Sequence, residues 1–561
     1  MLADARRVPA GARLETDVCV IGGGAAGITI ARELASRHRR VILLESGGLE
    51  GDGATQALYD GEVDGGLPYF PLFTARLRYF GGSTNHWGGR CRPFAAADFE
   101  RHDWIPNSGW PIRLSDLDGY YERAAGLVQL DSPEFGVDEW ADRGGPSPLP
   151  LRRSRIESRV AQVVAKRRRS FADAYGDELE RSQDATVYLH ANVVEIQSEG
   201  ARATRVRVAT LAGGRFTVSA RVFVLAAGGI ENPRLLLASN YDRPRGLGNH
   251  NDVVGRYFLE HPRFVAASVA PLGRYGVAGF YEPHRSGKTR IAGYLALPEA
   301  VRRAEELVDI QVRIRTVSTR PFEDAFDSGD VGALRAVSRR TSDDLREDVQ
   351  RVAADLMTWQ HHVVPGTIVP VPHPDVVVAA LGSSTVQELV PDLLGDIAAV
   401  AYREGANRIP VESYELTTRI DPVPNPDSRV VLGRERDALG MPKLRLEWRL
   451  HELDRHSVSR TLELLAGELG VAGLGRMRTT FDEHGSEWPD DLSGGFHHMG
   501  TTRMSDDPKR GVVDRDCRVH GVSNLFVAGS SVFSTAGSGT PTITLTALAL
   551  RLVDKLKQEL A

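Results

Sequence analysis

The chain has 561 residues and a formal net charge of -5 at pH 7, with 42% hydrophobic and 25% charged residues. This length predicts two interleaved domains, and the composition is that of a folded globular protein, which argues against a largely disordered chain. The nearly balanced charge also argues against a general nucleic-acid-binding protein.

Cysteine usage and the first residues bear on the compartment. Cys19, Cys91 and Cys517 have spacings that match neither a disulfide framework nor a zinc site, which indicates a reducing compartment. Residues 1–15 contain no apolar core of the kind a secretory signal needs, and no later stretch reaches membrane-spanning length. We therefore expect a cytoplasmic protein without a membrane span.

The first motif follows a short apolar run at 17–21 and has the sequence GGGAAG at 22–27, leading into a helical pattern. A GxGxxG motif between a strand and a helix predicts a dinucleotide-binding turn. Gly22 permits the tight turn, Gly24 lets the backbone approach a pyrophosphate, and Gly27 lets the helix pack close to the strand. The helix N-terminus then faces the phosphates with its N–H groups.

A second predicted strand at 41–44 ends in Glu45, eighteen residues past Gly27. A carboxylate at this point can accept hydrogen bonds from ribose hydroxyls. An acid here also disfavours a 2′-phosphate, so NADP is not expected.

A glycine-rich segment at 78–90 reads RYFGGSTNHWGGR. Glycines beside aromatic and polar residues suggest a loop that lies against a planar ligand, with backbone amides available to its polar edge. The alternative is a glycine-rich turn with a structural role only.

The character of the chain changes after residue 100. A capped helix is predicted to open at Ser115, with Asp118 completing a near capping box, at the start of a second domain. Residues 150–185 predict a charged amphipathic helix, with a helix-like stretch at 160–164. The basic run at 166–169 is interpreted as its solvated face.

The chain is then predicted to return to the nucleotide domain. Strands are predicted at 186–189 and 193–196, and a hairpin at 205–218. A buried strand at 221–225 runs into small residues and then into Pro233, which we place near a helix start. A simple NAD-binding Rossmann unit has no need of such a return.

Residues 262–490 predict a mixture of strands and helices. Strands are expected at 290–295 and 310–314, and helices at 331–360 and 453–469. His361 and His362 lack other metal-type ligands at suitable spacing, so we interpret them as structural or surface residues and predict no metal site.

The last seventy residues carry the chemistry. They contain FHHMGTTRM at 496–504, a strand at 524–528, and the sequence GSGTPT at 537–542, in which Thr540 and Pro541 start a final helix. This pattern sets an imidazole and a short polar side chain against one reaction face. We interpret this stretch as the active site of a flavin enzyme that oxidises an alcohol, since the N-terminus of the final helix can face the electron-rich edge of a reduced flavin.

Four blocks agree in order and spacing: 20–27 with Glu45, 81–89, 222–233, and 497–504 followed by 524–544. Together they resemble the glucose-methanol-choline (GMC) oxidoreductase family over essentially the whole chain. The resemblance implies FAD as the cofactor. The implied fold is a discontinuous α/β FAD-binding Rossmann-like domain plus an α+β substrate-binding domain, whose antiparallel sheet roofs the isoalloxazine ring.

On this basis we expect FAD-binding parts at 1–100, 186–261 and 491–561, and substrate-domain parts at 101–185 and 262–490. The cofactor-binding residues that the resemblance implies are Gly22, Gly24, Ala26, Gly27, Glu45, Gly82, Ser83, Asn85, His86, Val193, Ala227, Gly529, Ser530, Pro541 and Thr542. His86 aligns with the histidine that carries FAD covalently in some members, and a non-covalent flavin contact is the alternative.

The resemblance also implies the catalytic residues. His497 stands where the family has its catalytic base, and His498 is a candidate for a direct substrate contact. The family's second active-site residue is usually His or Asn, whereas this chain has Thr540. Threonine can donate one hydrogen bond but cannot serve as a base. We expect Thr540 to orient the substrate oxygen, with water or His498 filling the remaining space.

The predicted reaction is FAD-dependent oxidation of a primary or secondary alcohol by hydride transfer to flavin N5, with sugars, glycosides and polyols among the candidate substrates. Oxygen, a quinone or a redox protein would then accept the electrons. Two alternatives stay open at this point: a lyase of the same family that keeps FAD as a structural element, and an NAD-dependent dehydrogenase.

Overall fold

A computed structural model describes residues 1–35, 39–141, 143, 145–272, 278–318, 411–485 and 487–561. The helix predicted at 331–360 and the pair His361 and His362 lie outside the described residues.

The first sheet is mixed and contains the nucleotide-binding strand. Its strands are β1 (Leu2–Asp4), β2 (Arg13–Ile21), β3 (Val41–Leu44), β7 (Ala185–Leu189), β8 (Asn192–Glu199), β9 (Arg202–Ala209), β10 (Arg215–Leu225) and β19 (Leu525–Val527). Their order is β1-β7-β3-β2-β10-β9-β8, with β19 beside β10. All pairs are parallel except β10 with β9 and β9 with β8, which confirms the predicted hairpin.

Helices cover this sheet and bury its central strands. The α-helices among the described residues are α1 (Ala25–Ala35), α2 (Gly53–Gln56), α3 (Ala96–Phe99), α4 (Tyr120–Leu127), α5 (Val137–Ala141), α6 (Phe171–Arg181), α7 (Gly228–Ala238), α8 (Glu299–Glu305), α9 (Glu452–Val471) and α10 (Pro541–Glu559). Helix α1 packs against α10 and α6, and α10 packs against α4. All four residues of β3 are buried, as expected for a parallel strand between two layers.

The second sheet is antiparallel throughout. Its strands are β5 (Arg90–Cys91), β6 (Glu157–Val163), β11 (Arg263–Pro271), β12 (His284–Ser286), β13 (Thr289–Ala296), β14 (Ile310–Ser318), β15 (Val411–Ile420) and β18 (Gly475–Thr479). Their order is β18-β11-β15-β14-β13-β6-β5, with β12 beside β13. A small third sheet joins β4 (Gly61–Val63), β16 (Arg429–Arg436) and β17 (Pro442–Glu447). The predicted α/β domain with an added antiparallel sheet is therefore confirmed.

Two hydrophobic cores correspond to the two large sheets. The first core includes the strands and helices of the mixed sheet, and the second lies against the antiparallel sheet and α9. The range 101–185, predicted as one part of the substrate domain, is divided between them. Trp110 and Ala124 belong to the first core, whereas Val160 belongs to the second. The other predicted domain boundaries stay predictions.

Three local predictions differ from the structure. The helix-like stretch 160–164 lies mostly in strand β6, because a short apolar run that is buried on both faces has no period that separates strand from helix. A 3-10 helix at Leu114–Leu117 precedes α4, so the helix begins later than Ser115. Pro233 lies inside α7, which already begins at Gly228.

Among the helices of the described part of the chain, none combines the length and the apolar character needed to cross a membrane.

Candidate active site

The turn after β2 requires glycine at two positions and leaves a third open. Gly22 has a φ of +107°, and a Cβ there would lie 2.6 Å from the Ala226 carbonyl oxygen. A Cβ on Gly27 would lie 1.9 Å from the carbonyl oxygen of Gly22. In contrast, a Cβ on Gly24 would meet no heavy atom within 4 Å. The backbone at Gly24 therefore faces open space beside the start of α1, where free helical N–H groups suit a pyrophosphate.

Glu45 follows β3, and backbone amides hold its buried carboxylate. Its Oε2 accepts from the Gly23 N–H at 2.7 Å, and its Oε1 accepts from the Gly47 N–H at 2.8 Å. Burial raises the pKa of Glu45, and these amide bonds act in the opposite direction. The Glu45 carbonyl accepts from the Ala191 N–H, so Val193 stands close to the same edge of the sheet. The carboxylate thus lies at the turn where a ribose would follow the pyrophosphate.

The glycine-rich segment packs directly on this turn. A Cβ on Gly82 would lie 3.3 Å from the Gly24 Cα, so two segments predicted to bind the cofactor are in contact. Asn85 donates through Nδ2 to the Phe80 carbonyl at 2.8 Å, which uses its amide nitrogen within the loop. Ser83 is exposed on the same loop.

His86 is exposed, and its Nε2 lies 2.7 Å from the hydroxyl of Tyr79. Burial of part of the ring lowers the pKa of His86. Covalent attachment of the cofactor to this residue stays a prediction.

Two later returns of the chain complete the edge of the sheet. A Cβ on Gly529 would lie 3.9 Å from the Ala26 side chain, which places the end of β19 against the start of α1. Ala227 immediately precedes α7. Ser530 donates through Oγ to the His498 carbonyl at 2.7 Å. Ser530 therefore connects the predicted phosphate site with the histidine segment.

Glu260 organises the histidine segment, and sequence reasoning missed it. Its side chain is fully buried and accepts from the His497 N–H at 2.9 Å and 3.0 Å. It also accepts from the His261 N–H at 2.7 Å and from the Tyr69 hydroxyl at 2.5 Å. A single carboxylate thus fixes the backbone of His497 relative to the start of β11.

The hydrogen bonds of His261 determine the tautomer of His497. His261 Nε2 lies 2.9 Å from the Gly537 carbonyl, which only accepts, so Nε2 must carry the proton. In neutral His261 the Nδ1 atom is then an acceptor, and it accepts a hydrogen bond from Arg419 Nη2 at 2.6 Å. His497 Nδ1 lies 2.8 Å from the same atom and must donate to it. His497 Nε2 is therefore left with a lone pair.

The charge state of His497 follows from its surroundings. Burial, together with the positive charge of Arg419 and then the neighbouring His261, lowers the pKa of His497 well below 6.5. The ring is consequently neutral at neutral pH. Among the described residues, Nε2 has no hydrogen-bond partner, so this atom is a base that is free to accept a proton.

His498 points into a different environment from that of His497. The Tyr69 hydroxyl donates its proton to Glu260, so His498 Nε2, at 2.9 Å from that oxygen, must be the donor. The buried ring also lies beside Phe258. Burial, with the charge of Arg76 second, lowers its pKa to about 3. We predicted that His498 contacts the substrate directly. In the structure its Nε2 is instead engaged by the Tyr69 hydroxyl, and its ring is covered.

The hydroxyl of Thr540 is likewise engaged by the protein. It donates to the Arg90 carbonyl at 2.8 Å and accepts from the Arg92 N–H at 3.2 Å. The single hydroxyl proton of Thr540 is therefore used within the protein. In this geometry it is not available for the predicted hydrogen bond to a substrate oxygen. Thr540 instead attaches β5 to the N-terminus of α10, where Pro541 and Thr542 form the first turn.

Within the described part of the chain, no three His, Cys, Asp or Glu side chains come together in an arrangement that could hold a metal ion.

The sequence contained weak signals for the missed residues. Glu260 and His261 lie just before β11, which begins at Arg263, and two adjacent ionisable residues ahead of a strand are a candidate polar site. Arg419 lies in β15, a strand that otherwise buries apolar residues against the second core. Neither feature forms a motif.

Comparisons with known proteins agree with this geometry. Residues 424–549 match the family model for "GMC oxidoreductase", and residues 17–385, more than half of the chain, match the model for "FAD dependent oxidoreductase". A 2-methyl-1,2-propanediol dehydrogenase of Mycolicibacterium austroafricanum is 24% identical over 97% of this chain and 95% of its own length. A 6'''-hydroxyparomomycin C oxidase of Streptomyces lividus is 26% identical over 97% and 92%.

A solved structure shows the same fold. The pyridoxine 4-oxidase from Mesorbium loti superimposes with a TM-score of 0.52 at 16% identity, over 97% of this chain and 99% of the other. The family models and the full-length relatives lead to one conclusion: the chain is an FAD-dependent oxidoreductase, and its residues 424–549 correspond to the GMC oxidoreductase family model.

Proposed function

We propose that this protein oxidises a CH–OH group of a small molecule to a carbonyl, with His497 as the base that takes the hydroxyl proton. The observation that carries the proposal is the chain of hydrogen bonds that leaves a lone pair on His497 Nε2. One full-length relative is named for a propanediol, which supports an alcohol as the substrate class. Sugars, glycosides and polyols belong to the same class.

The residues of the mixed sheet fit FAD. The open backbone at Gly24 and the first N–H groups of α1 would hold the pyrophosphate, and Glu45 would hold the ribose. Gly82 and Gly529 bring their loops against the same turn. When bound, FAD supplies the two-electron acceptor for the hydride that leaves the carbinol carbon.

The protein's own groups handle the proton. His497 Nε2 accepts it from the substrate hydroxyl while His261 holds Nδ1–H in place. Because burial and Arg419 lower the pKa of His497, the imidazole is in the base form before reaction and releases the proton readily afterwards. Thr540 supports the site by attaching α10 to β5, and His498 supports it through Tyr69.

The experiment is anaerobic flavin reduction by an alcohol in His497→Ala. We expect FAD to stay bound and the rate of flavin bleaching to fall by roughly 10²–10⁴, the usual contribution of a general base. His456→Ala is the matched control, since that histidine is exposed and pairs with Glu483 on the surface. Undiminished bleaching in His497→Ala would remove this residue from the mechanism, and turnover without bleaching would indicate a lyase.

The electron acceptor is a separate question. We infer oxygen, a quinone or a redox protein, and reoxidation of the reduced enzyme by each of these in stopped-flow experiments would assign it. The cytoplasm remains our proposed compartment, supported by Cys19, Cys91 and Cys517, all of them free and buried.

A further inference from the structure

One face of the antiparallel sheet is directed at the loop that precedes α10. Gln311 of β14 donates to the Ser538 carbonyl, and Arg419 of β15 donates to the Gly539 carbonyl at 3.1 Å. The strand register pairs Gln311 with Arg419, so both side chains project from the same face. This active-site face of the sheet therefore lies directly against the segment that carries Thr540.

Further cationic side chains lie on the active-site face. Arg313 is two residues along β14 from Gln311, which makes it a diagonal neighbour of Arg419. Tyr294 of β13 stands opposite Arg313, because the adjacent pair is Leu295 with Val312. Arg90 of β5 shares this face through the register of β5, β6 and β13.

The three arginines lack the carboxylate partners that buried guanidiniums normally have. Among the described residues, Arg90, Arg313 and Arg419 form no ion pair with a carboxylate. The Nε atoms of Arg313 and Arg419 and the hydroxyl of Tyr294 are buried without a hydrogen-bond partner. Arg419 is only 5% exposed and Tyr294 only 2%.

A neighbour on the same face shows what a structural arginine looks like here. Arg159 of β6 pairs with Asp309 at 2.5 Å and with Glu157 at 2.6 Å. The sheet thus supplies a carboxylate where an arginine serves the fold. Within the part of the chain that the structure describes, no carboxylate pairs directly with Arg90, Arg313 or Arg419, and Glu260 and Asp421 act on Arg419 only as unpaired nearby charges.

Burial and mutual repulsion make the charged forms of these arginines less favourable. Burial, followed by the charges of Arg313 and Arg419, lowers the pKa of Arg90 to about 9. Burial, followed by the charge of Arg313, lowers the pKa of Arg419 to about 9. A bound anion would relieve both the desolvation and the mutual repulsion.

We propose that Arg313, Arg419, Arg90 and Tyr294 bind an anionic group of the substrate, so that this enzyme oxidises an alcohol that also carries a carboxylate. The inference rests on the proposed alcohol oxidation and names its substrate class. Arginine presents two parallel N–H donors that match a carboxylate, and the Tyr294 hydroxyl adds another donor. A cationic amino alcohol is disfavoured by the same charges.

The proposed anion site lies close to the proposed base. Arg419 Nη2 lies 3.4 Å from His497 Nδ1, so a single small substrate could place its anionic group against the arginines and its hydroxyl group against His497. The carboxylate is unchanged in the reaction. The carbinol C–H leaves as hydride to FAD, the O–H proton goes to His497, and the product is the corresponding oxo acid.

The test compares matched alcohols on the holoenzyme: lactate with 1,2-propanediol, glycerate with glycerol, and gluconate with glucitol, with glycerol phosphate as a separate arm. We expect the acid of at least one pair to have a KM at least about tenfold below that of its neutral partner. Arg313→Gln should raise the KM for that acid at least about tenfold more than it raises the KM for the neutral partner. The matched control is Arg315→Gln, because Arg315 follows on the same strand with an exposed side chain.

Binding of propionate, which has no hydroxyl to oxidise, is measured in parallel by calorimetry. We expect binding in wild type and Arg315→Gln and its loss in Arg313→Gln. A preference for the neutral alcohol in every pair, or equal effects of Arg313→Gln on both members, would overturn the inference. Preference for glycerol phosphate over glycerate would assign the site to phosphate instead of carboxylate. If no alcohol bleaches the flavin, alcohol oxidation itself fails, and propionate binding alone decides whether the anion site exists.

Discussion

At the scale of single residues, the proposed mechanism depends on which nitrogen of His497 carries a proton. His261 decides this, since its Nε2 is committed to the Gly537 carbonyl and its Nδ1 accepts from His497. We therefore propose that His261 positions His497, and the acceptor atom that it offers can be removed or retained by mutation.

We predict different outcomes for His261→Leu and His261→Asn. Leucine offers no acceptor, so His497 loses its fixed tautomer and flavin reduction should slow by roughly 10²-fold, as expected for a misplaced base. Asparagine can place its amide oxygen near the former Nδ1 position and should recover most of the rate. His261 is also one of the groups that lower the pKa of His497, so the acid limb of the pH–rate profile should move to higher pH in His261→Leu.

The measurement is the rate of anaerobic flavin reduction by a neutral alcohol as a function of pH. His456→Ala again serves as the control for a surface histidine. Equal losses in both His261 variants, with an unmoved acid limb, would mean that His261 acts through packing alone.

The sequence predicts only part of this site. His497 stands out because its neighbours form a local motif, and the glycines of 22–27 stand out for the same reason. Glu260 and His261 are distant in sequence from Arg419 and His497, and no local sequence pattern predicts that these residues lie close together. The roles of Thr540 and His498 could not be predicted either, because the partners that engage their polar atoms, the Arg90 carbonyl and Tyr69, belong to other parts of the fold.

At the scale of elements, the turn between β2 and α1 separates two functions of glycine. Gly27 is required by the fold, since a Cβ would lie 1.9 Å from the Gly22 carbonyl oxygen. The fold itself does not require glycine at position 24, because a Cβ there would meet no protein atom within 4 Å. We propose that glycine at this position allows the cofactor to approach the backbone closely.

We predict that Gly27→Ala destabilises the protein by roughly 2–4 kcal/mol, because the backbone must shift to admit the methyl group. Gly24→Ala should leave the stability of the FAD-free protein unchanged and weaken FAD binding about tenfold or more, through contact between the methyl group and the pyrophosphate. Thermal unfolding of the FAD-free proteins and titration with FAD measure the two effects. Equal FAD affinity in Gly24→Ala and wild type would place the pyrophosphate elsewhere.

Element prediction succeeded where the pattern was long and failed where it was short. The final helix, the hairpin of β9 and β10 and helix α9 were predicted because each has either a sustained period or a clear start signal. The sequence of strand β6 predicts a helix instead, because its residues are buried on both faces and no alternation remains to identify a strand.

At the scale of the whole molecule, the return of the chain to the mixed sheet was predictable from its buried strands, but the contacts that hold the parts together were not. One such contact is a buried ion cluster around Glu231 of α7. Its carboxylate lies 3.0 Å from Arg76, 3.3 Å from Arg78 and 3.2 Å from Arg234. Arg234 in turn pairs with Asp437 at 2.7 Å, beyond the end of β16, which connects the mixed sheet to the small third sheet.

This cluster predicts a specific dependence of stability on pH. Burial alone would raise the pKa of Glu231, but the charges of Arg234, Arg76 and Arg78 outweigh it and lower the pKa from 4.5 to about 2. A carboxyl group with a lowered pKa stabilises the folded state above its unfolded pKa, and this contribution is lost as pH falls from 4.5 towards 2. The shift corresponds to about 3 kcal/mol.

We therefore predict that Glu231→Gln lowers the free energy of unfolding by about 3 kcal/mol at pH 7, because three buried guanidiniums lose their counter-charge. The difference between Glu231→Gln and wild type should shrink progressively as pH falls from 4.5 towards 2, where the wild-type carboxyl also becomes neutral. Urea unfolding with excess FAD, repeated at several pH values, measures this difference. Glu435→Gln is the matched control, since its carboxylate is 67% exposed and pairs with Lys443 at the surface, where the expected change is about 0.5 kcal/mol or less. A difference between Glu231→Gln and wild type that stays constant with pH would show that the lost stability comes from packing, and that the charge of Glu231 does not hold the two sheets together.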